Sequence, residues 1–287
     1  MTKILHREWT LNAPDGMSSF GQLWLVPDSL PAKAIILLIH GLGEHSSRYD
    51  HVGRYMTLHG IHTVAVDLRG HGKSAGRRGD VASYAVFHDQ IDQAADEARR
   101  QLGNLPLFIY GHSLGGNIVI NYTLIRQPKV NGVVISAPWL RAKVAIPSGK
   151  LLMAKIMRNI WGGYAEDNGL NANHISRIPE VVSAYQNDPL VHRKISVRLF
   201  WEGLNSAKYA FEHATDLNVP MLLMHGTADN ITDANASAEF AQLNLSRITF
   251  KLWEGLYHEL HNEPEQEKIM ETVYEWINGL LDLYSMQ

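Results

Sequence analysis

The sequence predicts an α/β fold in which a mostly parallel β-sheet carries helices on both of its faces. Short continuous runs of β-branched residues and leucine, such as residues 34–39, are typical of strands buried on both faces. These runs alternate with longer segments of helical periodicity, and such alternation indicates a parallel sheet. A chain of 287 residues, 45% of them hydrophobic and 19% charged, is long enough to form one large domain of this class.

The first half of the chain follows this alternation closely. Residues 4–11 and 20–26 are predicted to form two strands joined by a turn that contains Pro14, Asp15 and Gly16. The next predicted elements are a strand over 34–39, a helix over 48–59, a strand over 61–67, a helix over 86–102, a strand that ends just before Ser113, and a helix to about residue 126.

The alternation breaks after a strand over residues 130–136 and resumes near residue 208. A stretch of this length is too long for an ordinary connection, so we expect a structured insertion with a helix that begins near Ser148. The predicted elements after it are strands over 219–224 and 248–253 and helices over 234–243 and 264–283. We therefore divide the chain into a core, residues 1–139 and 206–287, and an insertion, residues 140–205.

Composition excludes several classes of partner. The net charge is −3 and the isoelectric point is about 6.6, so there is no electrostatic reason to expect binding to nucleic acid. The chain has no cysteine, which excludes disulfides and thiolate metal sites and is typical of a reducing compartment. Residues 1–9 lack an apolar signal region, and no uncharged run is long enough to span a membrane. We expect a cytoplasmic protein.

The most informative motif is Gly111-His112-Ser113-Leu114-Gly115, which lies between a predicted strand and a predicted helix. A serine on so tight a turn has a strained backbone, and its neighbours two residues away must be small to avoid the adjacent strand and helix. The turn exposes the hydroxyl at the end of the strand. We therefore interpret Ser113 as a candidate nucleophile, against the simpler alternative of a glycine-rich turn with an incidental serine.

A serine nucleophile needs a base and a carboxylate that orients the base. In this type of sheet the acid and then the histidine follow the serine, on loops after later strands. Asp229 follows the strand over 219–224, and His258 follows the strand over 248–253. Asp233 is a rival for the acid and His261 a rival for the base, but each lies further from its strand.

An oxyanion hole needs two backbone N–H donors. We expect one from Leu114, directly after the nucleophile, and the other from Leu42, in a loop that the glycines at 41 and 43 allow to approach closely. His40 precedes this loop, and we expect it to support the loop by hydrogen bonding.

Two motifs suggest a ligand but fail on spacing. Gly72-Lys73-Ser74 resembles the end of a phosphate-binding loop, but that motif requires glycine where Asp67 stands. His258 and His261 are three residues apart, whereas the helical zinc motif needs histidines four apart. We predict no metal site and no cofactor.

Several segments together resemble the monoacylglycerol lipase and lysophospholipase branch of the α/β-hydrolase superfamily. They are HGLGEHSSRY at 40–49, DLRGHGKS at 67–74, GHSLGG at 111–116, NDPL at 187–190, GTAD at 226–229 and EGLYH at 254–258. The resemblance covers nearly the whole chain and is weakest over residues 141–185. It implies the α/β-hydrolase fold, with an eight-stranded sheet and a helical cap where we place the insertion.

By this resemblance, Ser113, Asp229 and His258 correspond to the nucleophile, acid and base, and Leu42 and Leu114 to the oxyanion positions. The leading hypothesis is a serine hydrolase that cleaves monoacylglycerol to fatty acid and glycerol. The alternatives are a lysophospholipase, a general carboxylesterase, an aminopeptidase or amidase, and a non-catalytic binding protein on the same fold.

The insertion is expected to select the substrate. Its candidate helix carries four apolar residues at helical spacing that we predict to line the acyl site, the alternative being that they only pack the cap against the core. They are Met153, Ile156, Met157 and Ile160. The same cap is expected to make transient contact with a membrane surface, and the oligomeric state stays open.

Overall fold

The computed structural model describes residues 4–285. Residues 1–3, which belong to the segment expected to lack a signal sequence, and residues 286–287 lie outside the described part. The strands are β1 (Leu5–Asn12), β2 (Ser18–Leu25), β3 (Ala34–Ile39), β4 (Ile61–Val66), β5 (Leu107–His112), β6 (Gly132–Ser136), β7 (Ala165–Asp167), β8 (Lys194–Ser196), β9 (Met221–Gly226) and β10 (Ile248–Trp253). The helices are α1 (Asp50–Leu58), α2 (Tyr84–Leu102), α3 (Leu114–Arg126), α4 (Ser148–Trp161), α5 (Pro179–Asn187), α6 (Val197–Glu212), α7 (Ala234–Gln242) and α8 (Gln266–Ser285).

Eight strands form one sheet in the order β1-β2-β4-β3-β5-β6-β9-β10. The pairs β1–β2 and β2–β4 are antiparallel, and every other neighbouring pair is parallel. The predicted fold class is therefore confirmed. Because parallel strands all end at one edge, the loops after β3, β5, β9 and β10 meet there.

The sheet separates two apolar cores. Along β3, Ile35, Leu37 and Ile39 face one core, and Ile36 and Leu38 face the other. The first core packs against α2, α3, α6 and α7, and the second packs against α1 and α8. This two-sided burial explains why the central strands are continuous apolar runs rather than alternating ones.

The segment between β6 and β9 contains α4, β7, α5, β8 and α6. The strands β7 and β8 form a separate two-stranded antiparallel sheet. A small third core brings together Ala172, Ile175, Val182 and Tyr185. The sequence indicated α4 but neither α5 nor α6, and α6 begins inside the expected insertion, ends beyond residue 205 and packs on α3. Within residues 4–285 no helix has the length and apolarity needed to cross a bilayer.

Candidate active site

Ser113 lies on the turn between β5 and α3 with a backbone that few non-glycine residues adopt, φ 54° and ψ −116°. The turn is held by the Ser113 N–H, which donates to Ser136 O at 3.0 Å, and by Ser113 O, which accepts from Trp139 N at 3.0 Å. Strain of this kind persists only where the surroundings over-determine it, and it concentrates at functional sites.

The flanking glycines are required by close packing. A Cβ atom on Gly111 would lie 2.7 Å from Gly115 O, and one on Gly115 would lie 2.3 Å from Ile39 O. Both distances are too short for a carbon atom that is fixed to the backbone. The expected reason for small residues on each side of Ser113 is thus a steric fact of this turn.

The structure brings Ser113, His258 and Asp229 into one hydrogen-bonded chain. His258 Nε2 lies 2.9 Å from Ser113 Oγ, and His258 Nδ1 lies 2.7 Å from Asp229 Oδ2. Because the carboxylate can only accept, Nδ1 carries the proton and Nε2 is free to accept the hydroxyl proton of Ser113. This is the geometry that a general base and its orienting acid require.

Asp229 is buried and its carboxylate is fully hydrogen-bonded. Oδ1 accepts from the backbone N–H groups of Ile231 and Thr232 at 2.7 and 3.0 Å. Oδ2 accepts from His258 and lies 3.0 Å from His225 Nε2 and 2.9 Å from Thr232 Oγ1. Burial alone would raise the pKa of Asp229, but the charge of His258 and the histidine hydrogen bonds hold that pKa well below its usual range.

Opposing effects also act on His258. Burial of the ring would lower its pKa, whereas the charge of Asp229 and the hydrogen bond to Asp229 raise it, and the net effect is a pKa above the ordinary value of 6.5. His112, whose ring centroid lies 4.8 Å from that of His258, behaves differently. Burial lowers the pKa of His112 to about 4, so His112 stays neutral beside a base that titrates higher.

Asp233 and His261, the alternative acid and base, lie outside the hydrogen-bonded chain of Ser113, His258 and Asp229. Asp233 is the N-cap of α7, where its side chain accepts from Asn235 N and pairs with Arg141 at 3.3 Å. His261 is buried, and its ring stacks on Tyr49 at a centroid distance of 4.4 Å. Neither side chain makes a hydrogen bond to His258 or Ser113 in the part of the chain that the structure describes.

The loop after β3 reaches the serine. A Cβ atom on Gly41 would lie 3.1 Å from Ser113 Cβ, so only glycine allows this approach without displacement. Leu42 and Leu114 both line the cavity above Ser113, and neither backbone N–H donates a hydrogen bond within residues 4–285. His40 donates from Nδ1 to Gly41 O at 2.8 Å and accepts from Leu68 N, which is the supporting role expected for it.

A buried ion network missed by sequence reasoning joins this loop to the residue after His258. Glu44 accepts from Gly41 N at 2.6 Å and from Arg48 at 2.5 Å, and Arg48 makes a two-pronged contact with Glu259 at 2.6 Å. The spacing of Glu44 and Arg48, four residues apart in the HGLGEHSSRY segment, was the available signal. No feature of the sequence indicated that Glu259, which is distant along the chain, would join this pair.

A cavity of about 810 Å³ opens above Ser113, between the edge of the sheet and the segment that follows β6. Its wall is mostly apolar and includes Trp139, Ile146, Met153, Met157 and Phe200. A volume of this size accommodates a molecule as large as a typical drug or a single acyl chain with its head group.

Only two of the four residues expected in the acyl wall face this cavity. Met153 and Met157 line it, but Ile156 and Ile160 do not, and their side chains are 55% and 80% exposed. The expectation for Ile156 and Ile160 was therefore wrong. Residues 153 and 157 share one face of α4 because they are one turn apart, whereas 156 and 160 lie on the outward face.

Comparisons with known proteins agree with this fold. A family model described as "Serine aminopeptidase, S33" matches residues 31–265. The chain is 32% identical over 279 residues to a monoacylglycerol lipase from Mycolicibacterium smegmatis, covering 96% of this chain and 99% of that protein. It is 33% identical over 242 residues to phospholipase YtpA from Bacillus subtilis, covering 83% of this chain and 93% of that protein.

Two further matches differ in how much of the other protein they cover. The chain is 35% identical over 252 residues to an uncharacterized abhydrolase domain-containing protein from Dictyostelium discoideum, but it spans only 27% of that protein's length. The crystal structure of a monoacylglycerol lipase from Paleococcus ferrophilus superposes with a TM-score of 0.81 at 32% identity, covering 98% of this chain and 99% of that one.

The fold and these matches define an α/β-hydrolase, and the class of enzyme is a serine ester hydrolase. Within that superfamily, the chain belongs to the serine aminopeptidase S33 family, in the branch that contains the monoacylglycerol lipases. The resemblance seen in the sequence motifs is thereby confirmed.

Proposed function

We propose that this protein hydrolyses monoacylglycerols to a fatty acid and glycerol through an acyl-enzyme on Ser113. One observation carries the proposal: the Ser113–His258–Asp229 chain opens into a mostly apolar cavity in which every acidic group is already paired. An apolar wall suits an acyl chain, and a site without unpaired charge suits a neutral head group.

In this mechanism, Ser113 Oγ attacks the ester carbonyl while His258 Nε2 takes its proton, and Asp229 holds the resulting imidazolium. The N–H groups of Leu42 and Leu114 donate to the carbonyl oxygen as it becomes negative, and one such donor is worth about 2.7–4 kcal/mol in the transition state. His258 then protonates the departing glycerol oxygen. Water activated by the same histidine hydrolyses the acyl-enzyme.

Charge pairing in the cavity wall favours a neutral head group. Of the four carboxylates there, Glu44 and Glu259 pair with Arg48, Glu166 pairs with Lys150 at 2.7 Å, and Asp167 pairs with Arg193 at 2.8 Å. An aminopeptidase substrate would need a free carboxylate for its ammonium group. A lysophospholipid would need a free cation for its phosphate, yet the one lysine in the wall is Lys150, which already pairs with Glu166.

Lysophospholipid hydrolysis remains the second candidate, because the match to a bacterial phospholipase spans most of both chains. The Lys150–Glu166 pair is about half exposed, and such pairs contribute little stability and break readily. Opening this pair would free a cation for a phosphate group.

Residues 140–205 act in this proposal as a cap that selects substrate without taking part in the chemistry. The outward face of α4, with Leu152, Ile156 and Ile160, contacts a lipid surface transiently and brings the cavity to its substrate. The absence of cysteine supports a cytoplasmic location for the enzyme.

The test measures initial rates of the purified protein on monoacylglycerols of graded acyl length, beside a lysophosphatidylcholine and an aminoacyl amide. We expect the highest kcat/KM on a monoacylglycerol. A higher kcat/KM on the lysophospholipid or the amide would refute the proposed head group. A Lys150→Met variant tests the second candidate, because it should depress lysophospholipid turnover far more than monoacylglycerol turnover if Lys150 binds phosphate.

A further inference from the structure

A second histidine contacts the carboxylate of Asp229. His225 lies at the end of β9, immediately before Gly226, and is completely buried. Its Nε2 is 3.0 Å from Asp229 Oδ2, the same oxygen that accepts from His258 Nδ1 at 2.7 Å. His225 does not line the cavity, so it does not touch the substrate.

The hydrogen bonds of His225 determine which of its ring nitrogens carries the proton. A carboxylate only accepts, so Nε2 must donate to Asp229. In a neutral ring Nδ1 is then an acceptor, and its neighbour at 2.8 Å is the hydroxyl of Ser237, which can donate. Ser237 is itself completely buried on α7, so no solvent competes for this bond.

The third side-chain donor to Oδ2, the Thr232 hydroxyl, shares its hydrogen with another acceptor. The Thr232 hydroxyl lies 2.9 Å from Asp229 Oδ2 but also 3.2 Å from Ala137 O, and it has one hydrogen to share between them. The Nε2–H of His225 lies within hydrogen-bonding distance of Oδ2 and of Thr232 Oγ1 at 3.3 Å, and only Oδ2 is charged. Besides His258, His225 is therefore the side-chain donor that contributes a full hydrogen bond to Oδ2.

We propose that His225 is a positioning residue for ester hydrolysis: with its Nδ1 next to the Ser237 hydroxyl and its Nε2–H donating to Oδ2, it holds the Asp229 carboxylate in the orientation that aligns His258 with Ser113. The inference rests on the proposed function, in which Asp229 orients His258 and His258 is the base. Without His225, Oδ2 keeps only His258 and a shared hydroxyl. The two backbone N–H groups still hold Oδ1, but the carboxylate can tilt at its Oδ2 end. The transition state then loses stabilisation while substrate binding does not change.

The experiment compares three variants on a short soluble ester. His225→Leu removes the donor at similar volume and should lower kcat by about 10- to 100-fold with KM unchanged, the usual range for a lost hydrogen bond to a charged group. His225→Gln keeps an N–H at the same position and should regain most of the lost kcat. Ser237→Ala removes the hydroxyl that fixes the tautomer of His225 and should cause a smaller loss of kcat than His225→Leu.

A second measurement does not depend on turnover. The proton on His258 Nδ1, which lies in a short bond to a carboxylate, should give a strongly downfield NMR resonance in the wild type. That resonance should shift or broaden in His225→Leu and Ser237→Ala but persist in His225→Gln. If His225→Leu melts far below the wild type, Ser237→Ala and His225→Gln still provide the comparison.

The outcomes distinguish the positioning role of His225 from the proposed ester hydrolysis. Wild-type kcat together with an unchanged resonance in His225→Leu would overturn the positioning role, and so would an equal loss in His225→Gln and His225→Leu, which would indicate ring packing. If the wild type hydrolyses no ester while the resonance responds as described, the proposed function fails and the positioning of Asp229 by His225 stands.

Discussion

At the level of single residues, the proposed catalysis depends on Ser113, whose backbone is strained and whose hydroxyl lies 2.9 Å from His258 Nε2. The φ of 54° at Ser113 is a strained conformation that the surrounding packing stabilises. The same tight turn orients the Ser113 hydroxyl toward the cavity at the end of the strand. Removing the hydroxyl should therefore abolish chemistry without weakening the fold.

We expect Ser113→Ala to lower kcat on esters by about 10⁴-fold or more and to abolish labelling by a fluorophosphonate probe. Thermal melting should remain at the wild-type temperature, because the turn is held by backbone contacts and glycines. Retained turnover by a variant with unchanged melting would mean that another residue is the nucleophile.

Two nearby aspartates provide a matched comparison. Asp229→Asn should lower kcat by about 10⁴-fold, as in serine proteases, because the amide favours the wrong histidine tautomer. Asp233→Asn should leave kcat nearly unchanged, since Asp233 caps α7 and asparagine caps helices almost as well. If Asp233→Asn caused the larger loss, the acid would have to be reassigned, although the serine and histidine would keep their roles.

The pH profile tests the electrostatics of His258. In the proposed mechanism the neutral imidazole of His258 is the base, so kcat/KM should fall as the pH falls through the pKa of His258. Because Asp229 raises that pKa above 6.5, the midpoint of the acid limb should lie above pH 6.5. Titration of the ring by NMR should give the same midpoint, and Asp229→Asn should move it downward. A midpoint well below 6.5 in the wild type would contradict the raised pKa.

At the level of elements, local sequence predicts some features well and others poorly. The Gly111–Gly115 turn was predictable because a strand, a tight turn and a helix each leave a local signal around Ser113. The inward face of α4 was not, because α4 carries apolar residues on both faces and periodicity alone does not say which face meets the core. By contrast, α6 was missed although it carries local signals: Ser196 caps its N-terminus, and Leu199, Gly203 and Ala210 lie on its buried face at helical spacing.

The two faces of α4 supply a sharp test of the acyl wall. Met157→Trp places a larger ring in the cavity, whereas Ile156→Trp makes a comparable change on the neighbouring outward position. We expect Met157→Trp to lower kcat/KM for long-chain monoacylglycerols more than for short ones, since even one methylene in an apolar pocket is worth about 1–3 kcal/mol. Ile156→Trp should leave the chain-length series unchanged on soluble esters. Equal losses on long and short esters in Met157→Trp would exclude this wall as the acyl site.

At the level of the whole molecule, the sheet order explains why residues 113, 229 and 258 meet. The strands β5, β6, β9 and β10 are consecutive neighbours, so the loops after β5, β9 and β10 lie side by side at one edge. This assembly was predictable from chain order and strand ends. The contacts of His225 and of the Glu44–Arg48–Glu259 network were not, because each joins residues through buried polar bonds that have no sequence period.

The same architecture places the outward face of α4 above the active edge of the sheet, and this gives the last prediction. Ile160 on α4 is 80% exposed, and Leu245, which precedes β10 at the opposite edge, is 67% exposed and serves as the matched control. If α4 rests on lipid, Ile160→Glu should weaken binding to phosphatidylcholine vesicles by about 10- to 100-fold, since burying one large apolar side chain is worth about 1.5–3 kcal/mol.

In this comparison, Ile160→Glu should also slow hydrolysis of monoacylglycerol carried in vesicles, while turnover of a short soluble ester stays at the wild-type rate. Leu245→Glu should change neither vesicle binding nor either rate, because its edge of the sheet faces away from the cavity. Equal vesicle binding by the wild type and both variants, measured by co-sedimentation, would mean that the enzyme takes its substrate from solution and that the apolar face of α4 has no role in lipid contact.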